Sequence, residues 1–207
     1  MTKPLSTQKQ VELELGMLKE RQSYVVSRPQ LYAAGVTRGE IRHHVRMGRW
    51  QLIGDQSVCL HNGPISWEGH CWAAVFQGGP RACLDGAAAL IASGLERYDE
   101  ERIRVSVPRG TRIRRTPLYD IRQTRRWSAD DVVEIGIPRT RPAIAAVRAA
   151  LWARSDRQAA YVVSIAVQQG LTRPEDIGRE LLRVRRDKRR LFLHVVVGDL
   201  LGGARAA

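Results

Sequence analysis

Two helix-start signals stand ten residues apart near the amino terminus, and they constrain the fold more than any other feature of the sequence. In the first, Ser27 precedes Gln30 by three positions; in the second, Thr37 precedes Glu40 by three. This spacing is typical of a capping box, in which the two side chains satisfy free amide groups of the first helical turn. Gly35 is the expected end of the first of these helices. The pattern predicts two short helices joined by a tight turn, which is the sequence form of a helix-turn-helix.

The residues on either side of this pair predict the rest of a small domain. Helical spacing over 8–22 predicts an earlier helix, and a short extended stretch follows it. After Gly48 apolar and polar residues alternate through 50–60 around the turn residues Gly54 and Asp55, which predicts a β-hairpin. A helix-turn-helix followed by a hairpin is a winged helix. We therefore predict an amino-terminal winged helix-turn-helix DNA-binding domain over residues 1–63.

Residues 64–207 are predicted to form a helical α/β domain with a small sheet, so the expected fold class is α+β. Helical patterns occupy 66–76 and 85–93. Three strand-like runs, RIRVSV, PLYDIR and DVVEIGI, place the sheet at about 102–137. Four further helical patterns at 141–153, 156–169, 173–184 and 187–201 predict the carboxyl-terminal helices.

The charge of the chain favours nucleic acid as its main partner. The chain has 34 Lys plus Arg against 21 Asp plus Glu, giving a formal net charge of +13. Such an excess makes the surrounding field positive. Most of the basic residues are arginine, which suits phosphate and guanine edges but which a GC-rich genome also encodes often.

The second predicted helix of the pair has the pattern expected of a helix that enters a DNA groove. In VTRGEIRHHVRMGRW, Arg42, His43 and Arg46 point away from the apolar residues Ile41 and Val45. A surface helix that is basic only because the whole protein is basic is the alternative. The tight turn before the helix and the hairpin after it favour the DNA interpretation.

The hairpin supplies further candidate contacts. We expect Trp50 to close the small core. Three polar residues, Gln51, Gln56 and Ser57, are able to touch the DNA backbone or the minor groove. Of the adjacent histidines, His43 is expected to face the groove and His44 to be partly buried. The DNA-contacting residues predicted in this unit are Arg38, Arg42, His43, Arg46, Arg49 and Gln56.

A second basic stretch lies in the predicted sheet. Its turn, PRGTRIRRTP, contains Arg112, Arg114 and Arg115, which are predicted to contact phosphate, with a solvated loop as the alternative. A third cluster, RVRRDKRR at 183–190, has the composition of either a phosphate-contacting patch or a linker, and we favour the linker.

Several function classes find no support in the sequence. It contains no glycine-rich phosphate loop, no H-E-x-x-H and no G-x-S-x-G, so no enzyme is predicted. Cys59, Cys71 and Cys83 lack the spacing of a metal site and are expected to be reduced, and no cofactor is predicted. The longest apolar runs are shorter than the roughly 20 residues of a membrane helix, so we expect a cytoplasmic protein without a membrane partner.

The stretch SRPQLYAAGVTRGEIRHHVRMGRWQLIGDQSVCLHNGP resembles the amino-terminal winged helix of AbiEi-type antitoxins, which belong to bacterial type IV toxin–antitoxin systems. RIRVSVPRG and VVEIGIPRTRPAIAAVRAALWA resemble the α/β region that follows in that family, so the resemblance covers most of 24–153. The family often has a polar S-H-R-S-A-A-like start in its central helix. Here LDGAA stands at 84–88 instead.

The end of the chain resembles the middle of larger actinobacterial proteins that continue from the same winged helix into a domain similar to very-short-patch-repair endonucleases. We expect that domain to be missing here, since the sequence reaches Ala207 where the domain would begin. The acidic and lysine cluster of the nuclease is not found either. Nuclease activity is therefore not implied.

The resemblance implies a sequence-specific transcriptional repressor of antitoxin type that autoregulates its own operon. Its expected partner is double-stranded operator DNA, and a homodimer and a cognate nucleotidyltransferase-like toxin are further candidates. The alternatives are an interaction protein that neutralises such a toxin by direct contact, or the remnant of a nuclease-containing DNA-binding protein.

Overall fold

The computed structural model of the protein describes residues 5–113 and 116–205. The described residues form both helices and short strands, with four consecutive helices at the carboxyl end, so the α+β fold class is confirmed. The first part contains α1 (Leu5–Arg21), β1 (Val25–Ser27), α2 (Arg28–Ala33), α3 (Arg38–Arg46), β2 (Gln51–Ile53) and β3 (Ser57–Cys59). The second part begins with α4 (Trp67–Gly78), β4 (Cys83–Leu84), α5 (Ala87–Ile91), β5 (Arg104–Pro108) and β6 (Asp120–Thr124). It ends with β7 (Val132–Val133), β8 (Arg139–Thr140), α6 (Pro142–Trp152), α7 (Asp156–Gln168), α8 (Pro174–Leu182) and α9 (Arg190–Arg205).

Both predicted capping boxes are present. Ser27 Oγ accepts a hydrogen bond from Gln30 N at 3.3 Å, and Gln30 Oε1 accepts one from Ser27 N at 2.9 Å. Thr37 Oγ1 and Glu40 Oε2 accept the equivalent bonds at 3.2 and 2.6 Å. Gly35, at φ 82°, makes the turn between the two helices in a left-handed conformation that glycine adopts without strain. Each of the two helices therefore begins at a capping box whose two residues are three positions apart in the sequence.

The three strands of the first part form an antiparallel sheet in the order β1-β3-β2. Its register pairs Val26 with Val58 and Val25 with Cys59. Because successive side chains on a strand point to opposite faces, the two pairs lie on opposite faces of the sheet. The Val26 face packs against α1, α2 and α3 in a small core. The buried members of the small core are Leu15, Val26, Leu31, Ala34, Val36, Ile41, Val58 and Leu60.

The opposite face of the same sheet packs against α4. Val25 and Cys59 are buried in the large core of the protein together with Cys71. A Cβ atom added to Gly69 would lie 3.1 Å from Val25 Cγ2, so glycine permits this close approach. The three-stranded sheet is thus shared by both cores, across the predicted boundary at residue 63. The division into 1–63 and 64–207 stays a prediction.

The second sheet has the strand order β6-β5-β4-β8-β7 and is mixed, with β5 parallel to β6 and β4 parallel to β8. Two of the three predicted strands are found at β5 and β6. The third is reduced to β7, because Gly136 turns the chain at φ 73° and Ile135 is left 85% exposed. The two-residue strands β4 and β8 lie outside the predicted range 102–137 and are too short to produce an alternating pattern.

The carboxyl-terminal helices α6 to α9 follow the four predicted patterns closely. The first of them, α6, is buried from Ile144 to Leu151 and contributes mainly alanine to the large core. This helix also carries a buried arginine, Arg148, toward the second sheet. In the ranges that the structure covers, no helix is both long and apolar enough to cross a lipid bilayer.

Candidate nucleic-acid interface

Helix α3 buries one side and exposes a basic one. Ile41 is buried in the small core and Val45 packs against it. Arg42, His43 and Arg46 are exposed, on the other side of the helix. Their predicted orientation is therefore confirmed. The apolar side fixes the helix to its domain, and the three outward side chains are free to meet a ligand from solvent.

The start of α3 is open and polar. Arg38, the first helical residue, is exposed. Gly39 follows it, and a Cβ atom placed there would meet only Thr37 Oγ1 within 4 Å, at 3.7 Å. The space above Gly39 leaves the backbone accessible near the amides of Arg38 and Gly39, which the capping box does not use and which can attract an anion. Arg38 and this helix start can therefore meet a phosphate group together.

His44 and Trp50 connect α3 to the hairpin from the inner side. Their rings stack with centroids 4.2 Å apart and an interplanar angle of 17°. Trp50 packs against the small core, and both side chains are half-buried, as predicted. Burial lowers the pKa of His44, and the positive charge of Arg49 lowers it further. His44 is therefore mainly neutral at pH 7 and acts as a packing residue.

Of the hairpin residues considered able to touch DNA, Ser57 is unable to do so, and the side-chain nitrogen of Gln51 is already engaged. Ser57 is buried, and its hydroxyl donates to the backbone carbonyl of Ile53 at 2.9 Å. The side-chain amide of Gln51 donates to the carbonyls of His61 and Gly63 at 3.1 and 2.7 Å. Both polar groups thus satisfy the backbone inside the protein. The sequence pattern marks these residues as polar but does not show that a neighbouring carbonyl needs a donor.

The other predicted residues of the hairpin region lie at its surface. Arg49 is exposed between α3 and β2, after Gly48 turns the chain at φ 64°. Gln56 is half-buried at the end of the turn between β2 and β3. Arg49 therefore stands beside the exposed face of α3, whereas only part of Gln56 is accessible.

Two residues that the sequence patterns do not single out, Arg28 and Tyr32, join this surface. Arg28 Nε donates to Asp55 O at 2.9 Å and its backbone N donates to Gln56 O at 2.8 Å, which ties the hairpin turn to α2. Tyr32 is exposed, with Arg38 Cζ 6.0 Å from its ring centroid. Desolvation acts to raise the pKa of Tyr32, but hydrogen bonds from Arg38 and Arg28 outweigh it and the pKa is lowered. The signal for this cluster is the four-residue spacing of Arg28 and Tyr32 on α2.

Of the basic residues predicted in the second part, the structure describes Arg112, which belongs to a different element from α3. Arg112 is exposed in the loop between β5 and β6, on the five-stranded sheet. Arg114 and Arg115 lie outside the described residues. The exposed face of α3 therefore forms the candidate interface with Arg38 and Arg49, and Arg112 belongs to a different structural element.

The cysteines and histidines supply no metal centre in the described ranges. Cys59, Cys71 and Cys83 are free and buried. Among the residues that the structure covers, no group of three or more His, Cys, Asp or Glu side chains is arranged to hold a metal ion. Burial raises the pKa of all three thiols, which makes them poor nucleophiles.

No family profile matches the chain, and no curated protein sequence does either. Among solved structures, the chain is similar to the crystal structure of the RV2827C protein from Mycobacterium tuberculosis. The two share 16% sequence identity over 86% of this chain and 78% of that chain, with a TM-score of 0.43. A likeness at this level carries no argument about fold or function, so the residues described above support the proposals below.

Proposed function

We propose that residues 5–60 form a winged-helix DNA-binding unit and that the protein is a sequence-specific transcriptional repressor. The order helix, strand, helix, helix, strand, strand, with an antiparallel hairpin at its end, is the order expected of a winged helix. In such units the last helix lies in the major groove of DNA and the hairpin contacts the neighbouring backbone. Helix α3 takes the position of that recognition helix.

The observation that carries the proposal is the exposed face of α3. Arg42, His43 and Arg46 project from a helix whose opposite side is anchored by Ile41. An arginine can donate two hydrogen bonds to O6 and N7 of guanine, which is the commonest base-specific contact in the major groove. The arginines at the ends of this face, Arg38 and Arg49, are placed to hold phosphate and fix the register without reading sequence.

The resemblance to AbiEi-type antitoxins supports the same function and specifies its target. A repressor of that family acts on its own operon, so the operator would lie upstream of this gene. Two copies of the winged helix would bind paired half-sites if the protein is a homodimer. A nucleotidyltransferase-like toxin is the partner that the resemblance implies.

The test is a fluorescence-anisotropy titration of the full chain with duplex DNA from upstream of its gene and with a random duplex of equal length, at several salt concentrations. We expect the upstream duplex to bind at least about a thousandfold more tightly. Equal affinity for the two duplexes, with the same steep loss in salt, would leave only nonspecific phosphate binding and would defeat the repressor proposal.

Variants of α3 test the proposed recognition helix. The double variant Arg42→Ala with Arg46→Ala should bind the upstream duplex more weakly. Each of the two arginines that contacts a base should account for a loss of roughly 10- to 100-fold in affinity. Arg185→Ala with Arg186→Ala is the matched control, because it removes the same charge from an adjacent exposed pair between α8 and α9. If both double variants reduce the affinity equally, the effect is one of net charge and α3 is not the recognition helix.

Gly39 allows an independent test that leaves the charge unchanged. The glycine has space for a side chain, so Gly39→Gln should fold normally while placing a bulky group on the exposed face of α3. A helix that enters the major groove would be held away from the bases by that side chain. We expect specific binding to fall at least about tenfold, with no decrease in unfolding free energy since Gln favours helix over Gly. Unchanged affinity would contradict the docking of this face.

A further inference from the structure

A groove outside the α3 surface lies on the five-stranded sheet. Val105 and Val107 of β5 pack against Gly78 of α4, so Ser106 between them faces the other side of the sheet. The parallel register places Arg122 of β6 directly beside Ser106. The end of α6 lies over this side, and together these elements line a cavity of about 510 Å³.

The groove is strongly basic. Among the described residues that line it none is acidic, and its arginines are Arg104, Arg122, Arg125, Arg126 and Arg148. Asp120, which is not one of the lining residues, forms ion pairs with Arg104 and Arg122 at 2.7 and 2.6 Å. Asp85, directly after β4, pairs with Arg148. Two acidic residues therefore partly neutralise five arginines, and the groove keeps a positive charge.

Arg125 and Arg126 provide the charge that remains. Both follow the end of β6 and are exposed, and in the described ranges neither guanidinium group forms an ion pair. The chain is held at this point because Arg148 Nη2 donates to the backbone carbonyl of Arg126 at 2.7 Å. Two exposed arginines that line the groove are thus carried by a backbone that a buried side chain fixes.

Ser106 gives a second, independent indication that the groove takes a ligand. It is 1% exposed, and its hydroxyl has no hydrogen-bond partner among the described residues. A buried hydroxyl without a partner destabilises the folded state. An oxygen atom bound in the groove would satisfy it, once the long arginine side chains around it rearrange.

We propose that this groove binds a phosphate group, held by Arg125 and Arg126 and by the hydroxyl of Ser106. Guanidinium groups make short, charge-assisted hydrogen bonds to phosphate oxygens, and a hydroxyl donates to the same atoms. A small phosphorylated molecule and the backbone of a nucleic acid present the same phosphate oxygens. The inference does not depend on DNA recognition by α3, because no residue of the groove belongs to residues 5–60.

Calorimetric titration with pyrophosphate at low salt tests the site on the full chain. We expect saturable binding that Arg125→Ala with Arg126→Ala weakens at least about tenfold, since two charge-assisted hydrogen-bond donors are removed. Arg185→Ala with Arg186→Ala is the control of equal charge and should bind pyrophosphate as the unaltered chain does. Equal reductions in both double variants would overturn the proposal, because they would show a general effect of charge.

Ser106→Ala separates a ligand site from a structural role. The variant removes a buried hydroxyl that has no partner, so its unfolding free energy should equal or exceed that of the unaltered chain. Pyrophosphate affinity should nevertheless fall severalfold. If binding is unchanged while stability rises, Ser106 does not take part and the assignment of the site to this groove is wrong.

The nucleic-acid source is tested in a chain that already carries Arg42→Ala and Arg46→Ala. Adding Arg125→Ala and Arg126→Ala should reduce the slope of log affinity against log salt on a random duplex by about 1 to 2, since each neutralised phosphate contributes about 0.9 to that slope. If the salt slope falls but pyrophosphate does not bind, the ligand of the groove is a nucleic-acid phosphate. If pyrophosphate binds and the salt slope is unchanged, the ligand is a small phosphorylated molecule. If neither is observed the proposal fails, whatever the outcome for the upstream duplex.

Discussion

The imidazole ring of His44 stacks on the indole ring of Trp50, with the two planes 17° from parallel and the two centroids 4.2 Å apart. His44 is in α3 and Trp50 directly precedes β2, so the stack joins the two elements that we propose to contact DNA. Their polar and charged neighbours point outward from this contact. The orientation of Arg42 and Arg46 therefore depends on packing at the inner side of the helix.

The first prediction concerns the pH dependence that His44 gives to stability. Burial lowers the pKa of this imidazole in the folded state below its ordinary value of 6.5. As the pH falls through 6.5 toward the lowered pKa, the unfolded chain takes up a proton before the folded one does, so unfolding free energy decreases. His44→Phe keeps the ring stack and removes the titration. Urea unfolding at pH 7.5 and 5.5 should show a smaller decrease for the variant, and equal decreases would mean that His44 is not desolvated.

The second prediction concerns the capping box of α3. Thr37→Ala removes the acceptor for the amide of Glu40 and should lower unfolding free energy by about 1 kcal/mol, measured by urea denaturation. Glu40→Gln keeps a side-chain acceptor, as Gln30 does in the first box, but removes a negative charge beside the basic face. It should cost less stability and should strengthen DNA binding in the anisotropy assay. Weaker DNA binding by Glu40→Gln would contradict the proposed path of the DNA.

The elements that could be predicted from the sequence are those that depend on near neighbours. The starts of α2 and α3 follow from hydrogen bonds between residues three positions apart, and the hairpin follows from an alternating pattern around Gly54. The exposure of Arg42 and His43 follows from the helical period alone. For these elements, the structure that neighbouring residues favour is the same as the structure found in the complete fold.

The basic groove could not be predicted, because it depends on which strands become neighbours. Ser106 and Arg122 are 16 positions apart and come together only through the parallel register of β5 and β6. In the sequence, Arg122 is one of many arginines, and nothing marks Ser106 as buried. Gln51 and Ser57 show the same limit, since their partners are backbone carbonyls whose positions depend on the folded hairpin.

The third prediction concerns Glu100, which lies in a cavity beside Arg104 and Asp120. Its Oε2 atom is buried without a hydrogen-bond partner in the described ranges, and burial raises the pKa of the carboxyl group to about 8. Between the ordinary value of 4.5 and 8, the folded state keeps a proton that the unfolded state releases. Unfolding free energy should therefore fall as the pH rises through this range.

Glu100→Gln tests this linkage, because the amide resembles the protonated acid at every pH. Relative to the unaltered chain, the variant should gain stability steadily from pH 5 to pH 8 in urea unfolding. A pH profile for Glu100→Gln that stays parallel to that of the unaltered chain would show that Glu100 is ionised in the folded state at neutral pH.

The last prediction concerns the buried pair of Asp85 and Arg148, which joins β4 to α6. The Asp85 carboxylate accepts hydrogen bonds from Gly86 N at 2.8 Å, Thr140 Oγ1 at 3.1 Å and Arg148 Nη1 at 2.6 Å. Arg148→Met leaves this fully buried carboxylate without its positive partner, so unfolding free energy should fall by about 3–5 kcal/mol. Asp85→Asn combined with Arg148→Met removes both charges and should recover part of that decrease. The unfolding free energies of both variants are measured by urea denaturation. If that of Arg148→Met lies within about 1 kcal/mol of the value for the unaltered chain, the pair adds little to the connection between the sheet and α6.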